Sequence, residues 1–184
     1  MFKPTYTITP NLLDTIKRIT SLITVLNERR FSDVVLFDLE KTAREVSTFN
    51  STSIEGNPLP LTDVKRILKR APTHIRDTER EILNYNAALV WLNKMVAPLH
   101  SVLDAQLILK IHSTIMKDLL PKKTLGKFRS APVFVNDPRR GETIFWPPDH
   151  QDVPRLMNDL LSFVEKNAAT TDPLLMAGIF HKQF

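Results

Sequence analysis

The sequence predicts a mostly α-helical fold with one β-hairpin. Apolar residues recur at the three- and four-residue spacing of amphipathic helices in most segments. Only four glycines interrupt these segments, and 13 prolines mark their boundaries. The helical spacing breaks at residues 131–148, where β-branched and aromatic residues flank a turn-rich stretch at 136–141. That pattern is typical of a hairpin.

Five helices are expected before the hairpin and two after it. The first begins at Thr9 and Pro10, which suit an N-cap and a first helical turn. The second ends near Gly56, which can adopt the left-handed C-cap conformation, and before Pro58, which cannot continue a helix. The remaining bounds are about residues 33–54 for the second helix, after residue 62 for the third, and 77–95, 104–119, 151–167 and 173–184 for the others.

Apolar side chains at helical spacing identify the face that each of the first four helices would bury. In the first helix the face comprises Leu12, Leu13, Ile16, Ile19, Ile23 and Leu26, and in the second it comprises Val35, Leu39 and Ala43. In the third helix it comprises Val64, Ile67 and Leu68, and in the fourth Ile82, Leu83, Tyr85, Ala88, Leu89 and Leu92. On the second helix, Glu40, Lys41 and Arg44 are expected to point outward.

Composition limits the classes of function. A chain of 184 residues is long enough for one well-packed domain. It contains no uninterrupted apolar run of membrane-spanning length and no secretory signal pattern, so we expect a cytoplasmic protein with no membrane partner. The absence of cysteine excludes disulfides, a thiolate nucleophile and a sulfur-ligated zinc site. The five histidines show no metal-ligand spacing, so no metal site is predicted.

Basic residues are concentrated at residues 110–140, where eight Lys and Arg accompany two Asp. Such a cluster would attract phosphate-bearing ligands, although exposed Lys and Arg equally serve an ordinary solvated surface. One hypothesis for the whole chain is therefore a non-catalytic basic helical module that binds nucleic acid or protein. No recognition-helix motif or aromatic platform supports nucleic-acid binding.

The last twelve residues form a strongly apolar helix without a C-cap or a polar tail. We therefore expect the chain to be a fragment of a longer protein. An apolar patch should be exposed there, so the fragment should self-associate or hold the remaining C-terminal part. The expected patch consists of Leu174, Leu175, Ile179, Phe180 and Phe184.

Three segments occur in an order that resembles one protein family. STSIEGN at 51–57 fits the pattern (S/T)xxxE(G/N). GKFR at 126–129 leads through the hairpin to FWPP at 145–148, and AGIFHKQF at 177–184 is similar to AGIxHxxF. Together they resemble the N-terminal portion of a Fic-family protein adenylyltransferase of the class with an N-terminal inhibitory helix. The family motif HxFx(D/E)GNGRxxR, which follows the third segment in that family, does not occur in this sequence.

The resemblance implies a Fic-like helical bundle with a hairpin flap and with the C-terminal core helices missing. It divides the chain into an N-terminal helical region at 1–95, with the inhibitory motif at 51–57, and the first part of the Fic core at 96–184, with the flap at 131–148. The implied reaction transfers AMP from ATP, with Mg²⁺, to a hydroxyl of a target protein. Its catalytic residues belong to the absent motif, so we expect none here, no tightly bound cofactor, and no activity of this chain alone.

The resemblance also assigns roles to four residues. Glu55 would pair with the last arginine of the absent motif and occupy space that the γ-phosphate of ATP needs; otherwise it is a surface glutamate at a helix end. Ser51, one turn earlier, would form a local hydrogen bond that fixes the helix, or would be an ordinary hydroxyl. Ile144 or Phe145 would clamp a target aligned on the flap by strand addition, unless the hairpin is an ordinary surface feature.

Two histidines are weighed separately. His181 precedes the absent motif, and we expect it to pack or to support neighbouring residues. His112 lies among isoleucines at helical spacing and is expected to be a hydrogen-bonded residue at the edge of the core.

Overall fold

Seven α-helices and one antiparallel hairpin make up the described part of the chain. The computed structural model describes residues 2–96, 103–137 and 139–184. The elements are α1 (Pro10–Glu28), α2 (Asp33–Ile54), α3 (Leu61–Lys69), α4 (Asp77–Val96), α5 (Ala105–Ile115), β1 (Val135–Asp137), β2 (Glu142–Phe145), α6 (Val153–Asn167) and α7 (Pro173–Gln183). The predicted helical class and the hairpin are confirmed.

The local signals at helix ends act as the sequence predicts. Thr9 Oγ1 accepts a hydrogen bond from the Leu12 N–H at 3.2 Å and caps α1. At the end of α2, Gly56 adopts a φ of +94°. The Gly56 N–H donates to the Ser53 carbonyl, and the Asn57 N–H donates to the Thr52 carbonyl, both at 3.0 Å. This pair of bonds is the Schellman motif, which closes the helix.

The fifth helix is shorter than predicted. It ends at Ile115 rather than at residue 119. The Asn84 side chain of α4 explains this difference, because its Nδ2 donates to the carbonyl oxygens of Ile115 at 2.8 Å and Lys117 at 2.7 Å. Asp118 then takes a positive φ of 60°, which turns the chain away from the helix axis.

The core lies where α2, α3 and α4 meet. Val64 and Ile82 have no exposed surface, and Ile67 completes the buried cluster. Partly buried side chains pack around it: Phe49, Leu59, Leu68 and Leu83. The predicted inward faces of α3 and α4 are thereby confirmed at their centres, since Ala88 is also buried.

The predicted inward face of α2 is wrong in its first half. Val35 is 42% exposed and Leu39 is 51% exposed, and Ala43 is exposed as well. The buried residues of α2 are instead Thr48 and Thr52, because the C-terminal half of this helix packs against the core. The Thr52 hydroxyl is satisfied by donating to the Thr48 carbonyl at 2.9 Å.

The apolar patch expected on α7 is only partly present. Leu174 and Phe184 are exposed, but Ile179 is 7% exposed, so its predicted exposure is wrong. The N-terminal residues 2–6 and α1 lie beside this face of α7, and Ile179 shares cavities with Tyr6 and Ile16. None of the helices in the described ranges combines the length and apolar character needed to cross a bilayer.

Candidate functional site

A cavity of about 590 Å³ lies beside the last turn of α2. We call it the Glu55 cavity. Its lining residues are Ser51, Thr52, Glu55, Glu81, Tyr85, Ile115, Met116, Leu119, Leu120 and Phe184. The structure therefore brings together both inhibitory-motif residues named from the sequence and the last residue of the AGIxHxxF-like stretch.

Glu55 occupies the C-cap position of α2. Its side chain is exposed on the rim of the cavity, and within the described ranges no Lys, Arg or His lies at ion-pair distance from it. The carboxylate also faces the negative end of the α2 dipole. This corner of the cavity is thus electrostatically suited to a cation.

Ser51 has a partner that the sequence did not indicate. Its Oγ accepts a hydrogen bond from the Tyr85 hydroxyl of α4 at 2.7 Å. This contact joins two helices, whereas a local bond within α2 was expected, and the role of Ser51 stays a prediction. Tyr85 was predicted only as part of an apolar stripe, although a half-buried tyrosine hydroxyl normally finds a polar partner.

Asn57 is a residue whose contribution sequence reasoning missed. It is 7% exposed. Its Nδ2 donates to the Thr78 carbonyl at 2.8 Å and to Glu81 Oε2 at 2.7 Å, and its Oδ1 accepts from the Leu59 N–H at 3.2 Å. The available signal was its position, since the second residue beyond a helix with a Schellman end is commonly apolar.

These contacts define how α2 and α4 face each other. Ser51 meets Tyr85, whereas Asn57, farther along the chain, meets Glu81, which precedes Tyr85 by one turn. The two helices are therefore antiparallel here. Glu55, one turn after Ser51, and Glu81 consequently line the same cavity.

The start of α4 is held by a second polar contact. The Arg76 backbone N–H donates to Glu79 Oε2 at 2.8 Å, and Arg76 Nη2 donates to Glu79 Oε1 at 2.6 Å. The side-chain hydrogen bond from Arg76, together with the backbone one, holds the pKa of the Glu79 carboxyl below its ordinary value. The first turn of α4, which receives Asn57 at Thr78, is thus anchored.

The opposite wall of the cavity follows α5. Asn84 fixes the turn after that helix, as described above, and Arg80 Nη1 lies 3.8 Å from Asp118 Oδ2. The turn carries Met116, Leu119 and Leu120 into the lining. The wall is apolar for this reason.

The hairpin lies apart from these residues. β1 pairs with β2 in antiparallel register, with Val135 opposite Phe145 and Asn136 opposite Thr143. Both Ile144 and Phe145 are exposed. Neither residue lines the Glu55 cavity, so the structure does not bring the two predicted flap residues to the inhibitory motif.

Arg129 ties the two ends of the hairpin together. Its Nη1 donates to the Ala131 carbonyl at 3.3 Å, and its Nη2 donates to the Pro148 carbonyl. A smaller cavity of about 200 Å³ lies at this base, lined in part by Arg129, Pro147 and Phe184. Phe184 therefore borders both cavities and is the structural link between the flap base and Glu55.

The approach to the hairpin is anchored by His112. Its Nδ1 accepts a hydrogen bond from the Gly126 N–H at 3.1 Å, which confirms a hydrogen-bonded residue at the edge of the core. Gly126 has a φ of +62°, and an added Cβ would approach the Leu109 carbonyl oxygen at 3.1 Å. His181, expected to pack or to support neighbours, is exposed.

The charged side chains of the Glu55 cavity are acidic. The lining of the Glu55 cavity contains two carboxylates and no Lys or Arg. In residues 2–96, 103–137 and 139–184 there is also no group of three or more His, Asp or Glu able to hold a metal ion. The basic cluster at 110–140 is partly engaged within the chain, since Arg129 binds carbonyls and Arg140 Nε lies 3.9 Å from Asp137 Oδ2.

Comparison with known proteins identifies relatives of this chain. Residues 102–184 match the sequence model of the Fic/DOC family. Over 154 residues the chain is 27% identical to a protein adenylyltransferase Fic from Aedes aegypti, an alignment that covers 82% of this chain and 29% of that protein. The division predicted at residues 95 and 96 stays a prediction.

Two solved structures share the fold. A Fic family protein from Desulfovibrio desulfuricans G20 is 28% identical with a TM-score of 0.74, covering 100% of this chain and 53% of that one. A Fic domain containing signaling protein from Bacteroides thetaiotaomicron VPI-5482 is 20% identical with a TM-score of 0.76, covering 90% of this chain and 62% of that one. The predicted Fic-like helical fold is confirmed, and the chain spans only part of each relative.

Proposed function

We propose that this chain is the N-terminal part of an autoinhibited protein adenylyltransferase, because residues 102–184 match the sequence model of the Fic/DOC family. The family supports Fic-type AMP transfer, with ATP as the nucleotide. The proposal adds that Mg²⁺ assists, that the acceptor is a hydroxyl of a target protein, that the enzyme is cytoplasmic, and that the present 184 residues are inactive alone.

One observation carries the proposal. Glu55 and Phe184 line the same cavity. Phe184 is the last residue of the stretch that resembles AGIxHxxF, and in the family the motif HxFx(D/E)GNGRxxR follows that stretch. A polypeptide continuing from Phe184 would therefore enter beside the Glu55 carboxylate.

The chemistry of Glu55 suits inhibition. A guanidinium entering the cavity would meet an exposed carboxylate at the negative end of a helix and form a charge-assisted pair. Pairs of this kind are worth about 1.5–3 kcal/mol, which corresponds to a bias of roughly ten- to hundredfold toward the inhibited state. The same carboxylate would repel a γ-phosphate.

The hairpin suits target binding in this proposal. Its strands are short, and Ile144 and Phe145 project apolar surface from β2. An extended target segment could pair with a strand edge through main-chain hydrogen bonds, which tolerate many sequences. Arg129 would hold the flap base rigid while the target docks.

The test uses the full-length protein, whose coding sequence should continue past Phe184 into the HxFx(D/E)GNGRxxR motif. We expect Glu55→Gly to raise AMP incorporation from α-labelled ATP by roughly ten- to hundredfold, because the pair is lost. Glu45→Gly, in the same helix but outside the cavity, controls for loosening of α2. A stop codon or unrelated sequence after Phe184, or equal rates for both variants, would refute the proposal.

A further inference from the structure

The Glu55 turn is held by a side chain that does not itself enter the cavity lining. Asn57 is buried, and its amide makes two donor contacts with α4 and one acceptor contact with Leu59. We propose that Asn57 is the positioning residue that keeps the Glu55 carboxylate at the cavity. This inference rests on the proposed autoinhibition and names a residue that controls it.

The backbone explains why such an anchor matters. Between Glu55 and Asn57 stands Gly56, with a φ of +94° and no contact within 4 Å of a Cβ placed there. Glycine imposes few restraints on its own dihedral angles. The two backbone bonds of the Schellman motif close this turn onto α2, and the Asn57 side chain then joins the closed turn to the first turns of α4.

The anchor works together with the bond between Ser51 and Tyr85. Glu55 lies between Ser51 and Asn57 in sequence, and the side chains of both of these residues form hydrogen bonds with α4. With both ties, the last turn of α2 cannot roll about its axis. With Asn57 released, the Ser51–Tyr85 bond is the remaining side-chain hydrogen bond between α2 and α4 in the part of the chain that the structure describes, and the Glu55 side chain samples positions away from the rim.

The strength of the anchor sets the expected effect. Nδ2 makes one bond to a neutral carbonyl and one to a carboxylate, and the latter class is the stronger. Removing the donor should shift the balance between held and released Glu55 by roughly tenfold. AMP transfer by the full-length protein should rise by the same factor.

The decisive variant is Asn57→Asp in the full-length protein. It keeps the size of the side chain and the acceptor for Leu59, but removes the donor and places a carboxylate beside Glu81. We expect about tenfold faster AMP transfer. Asn50→Asp, on the exposed face of α2, adds the same charge near the same helix end and should leave the rate unchanged.

A second substitution tests the contact itself. When Asn57→Asp is combined with Glu81→Gln, the amide introduced on α4 can donate to the carboxylate introduced beyond α2, so the bond is restored with its polarity reversed. We expect inhibition to return at least in part. A double variant as active as Asn57→Asp alone would overturn the role of this contact.

Epistasis separates positioning from a structural effect. If Asn57 acts through Glu55, adding Asn57→Asp to Glu55→Gly should change the rate no further. A further change, or an unaltered rate for Asn57→Asp in a protein that Glu55→Gly does activate, would overturn the inference. Failure of Glu55→Gly to activate would instead refute the proposed function. Far-ultraviolet circular dichroism at the assay temperature should show Asn57→Asp and Asn50→Asp to be equally folded, which excludes loss of folding as the cause.

Discussion

Asn84 offers the most direct test of how the cavity wall is built. This side chain is 8% exposed and donates two hydrogen bonds, to the carbonyls of Ile115 and Lys117. These carbonyls lie at the end of α5, where helical partners run out. Replacing Asn84 with alanine leaves both without their side-chain donor.

The expected loss follows from the two bonds. Each contributes a net of about 1 kcal/mol, and the space left by the amide adds to the cost, so Asn84→Ala should lower the free energy of unfolding by about 2–3 kcal/mol. For a chain of this size the melting temperature should fall by roughly 4–12 °C. Urea titration followed by far-ultraviolet circular dichroism measures the loss directly.

Two further variants make the result interpretable. Asn86→Ala removes a half-buried amide from the same helix that makes neither contact, and should cost less than about 0.5 kcal/mol. Asn84→Asp keeps the size but loses the donor, and should cost at least as much as Asn84→Ala at neutral pH. A loss for Asn84→Ala no greater than that for Asn86→Ala would refute the reasoning.

Three other predictions concern stability. Gly126→Ala should cost about 1–2 kcal/mol more than Gly141→Ala in thermal unfolding, because both have positive φ but only at Gly126 does a new Cβ meet backbone within 3.4 Å. With Glu79→Gln, the free energy of unfolding should fall less steeply as the pH is lowered from neutral. The urea midpoint at each pH measures this. The pKa of Glu79 is lowered by Arg76 in the folded state, so its contribution is full above the unfolded pKa and is lost as pH falls through the folded one. Val64→Ala should lose about 1.5–3 kcal/mol in the same titration, since it empties a site with no exposed surface.

Controls exist for the last two variants. Glu165→Gln alters an exposed carboxylate on α6, and its acid profile should match that of the unmodified chain. Val34→Ala alters a valine that is 72% exposed, and should change the unfolding free energy by less than about 0.5 kcal/mol. A Glu79→Gln profile as steep as that of Glu165→Gln would contradict the pKa argument.

Features determined by residues close together in the sequence were predictable. The end of α2 and the left-handed Gly56 follow from a glycine and a proline within a few positions. The buried Val64 and Ile82 follow from helical periodicity. In each case the cause and the effect lie within a turn or two of chain.

Features that depend on distant partners were not predictable. Asn84 bonds to the end of α5, and Tyr85 bonds to Ser51. The partners in these bonds are 31–34 positions apart in the sequence. Periodicity likewise marked Val35 as one side of a helix, but could not say whether another element covers that side. The position of Glu55 at a cavity agrees with the family resemblance, whereas its inhibitory role stays a prediction.

Ser51 and Asn57 join the end of α2 to α4 at two separate points. One of these contacts alone would let the end of α2 rotate about its axis. The two contacts together restrain both its rotation and its tilt relative to α4. The direction in which Glu55 points is consequently a shared property of two helices. Substitutions around Glu81 and Tyr85 would therefore change the direction of the Glu55 carboxylate, even when the motif at 51–57 that contains Glu55 stays the same.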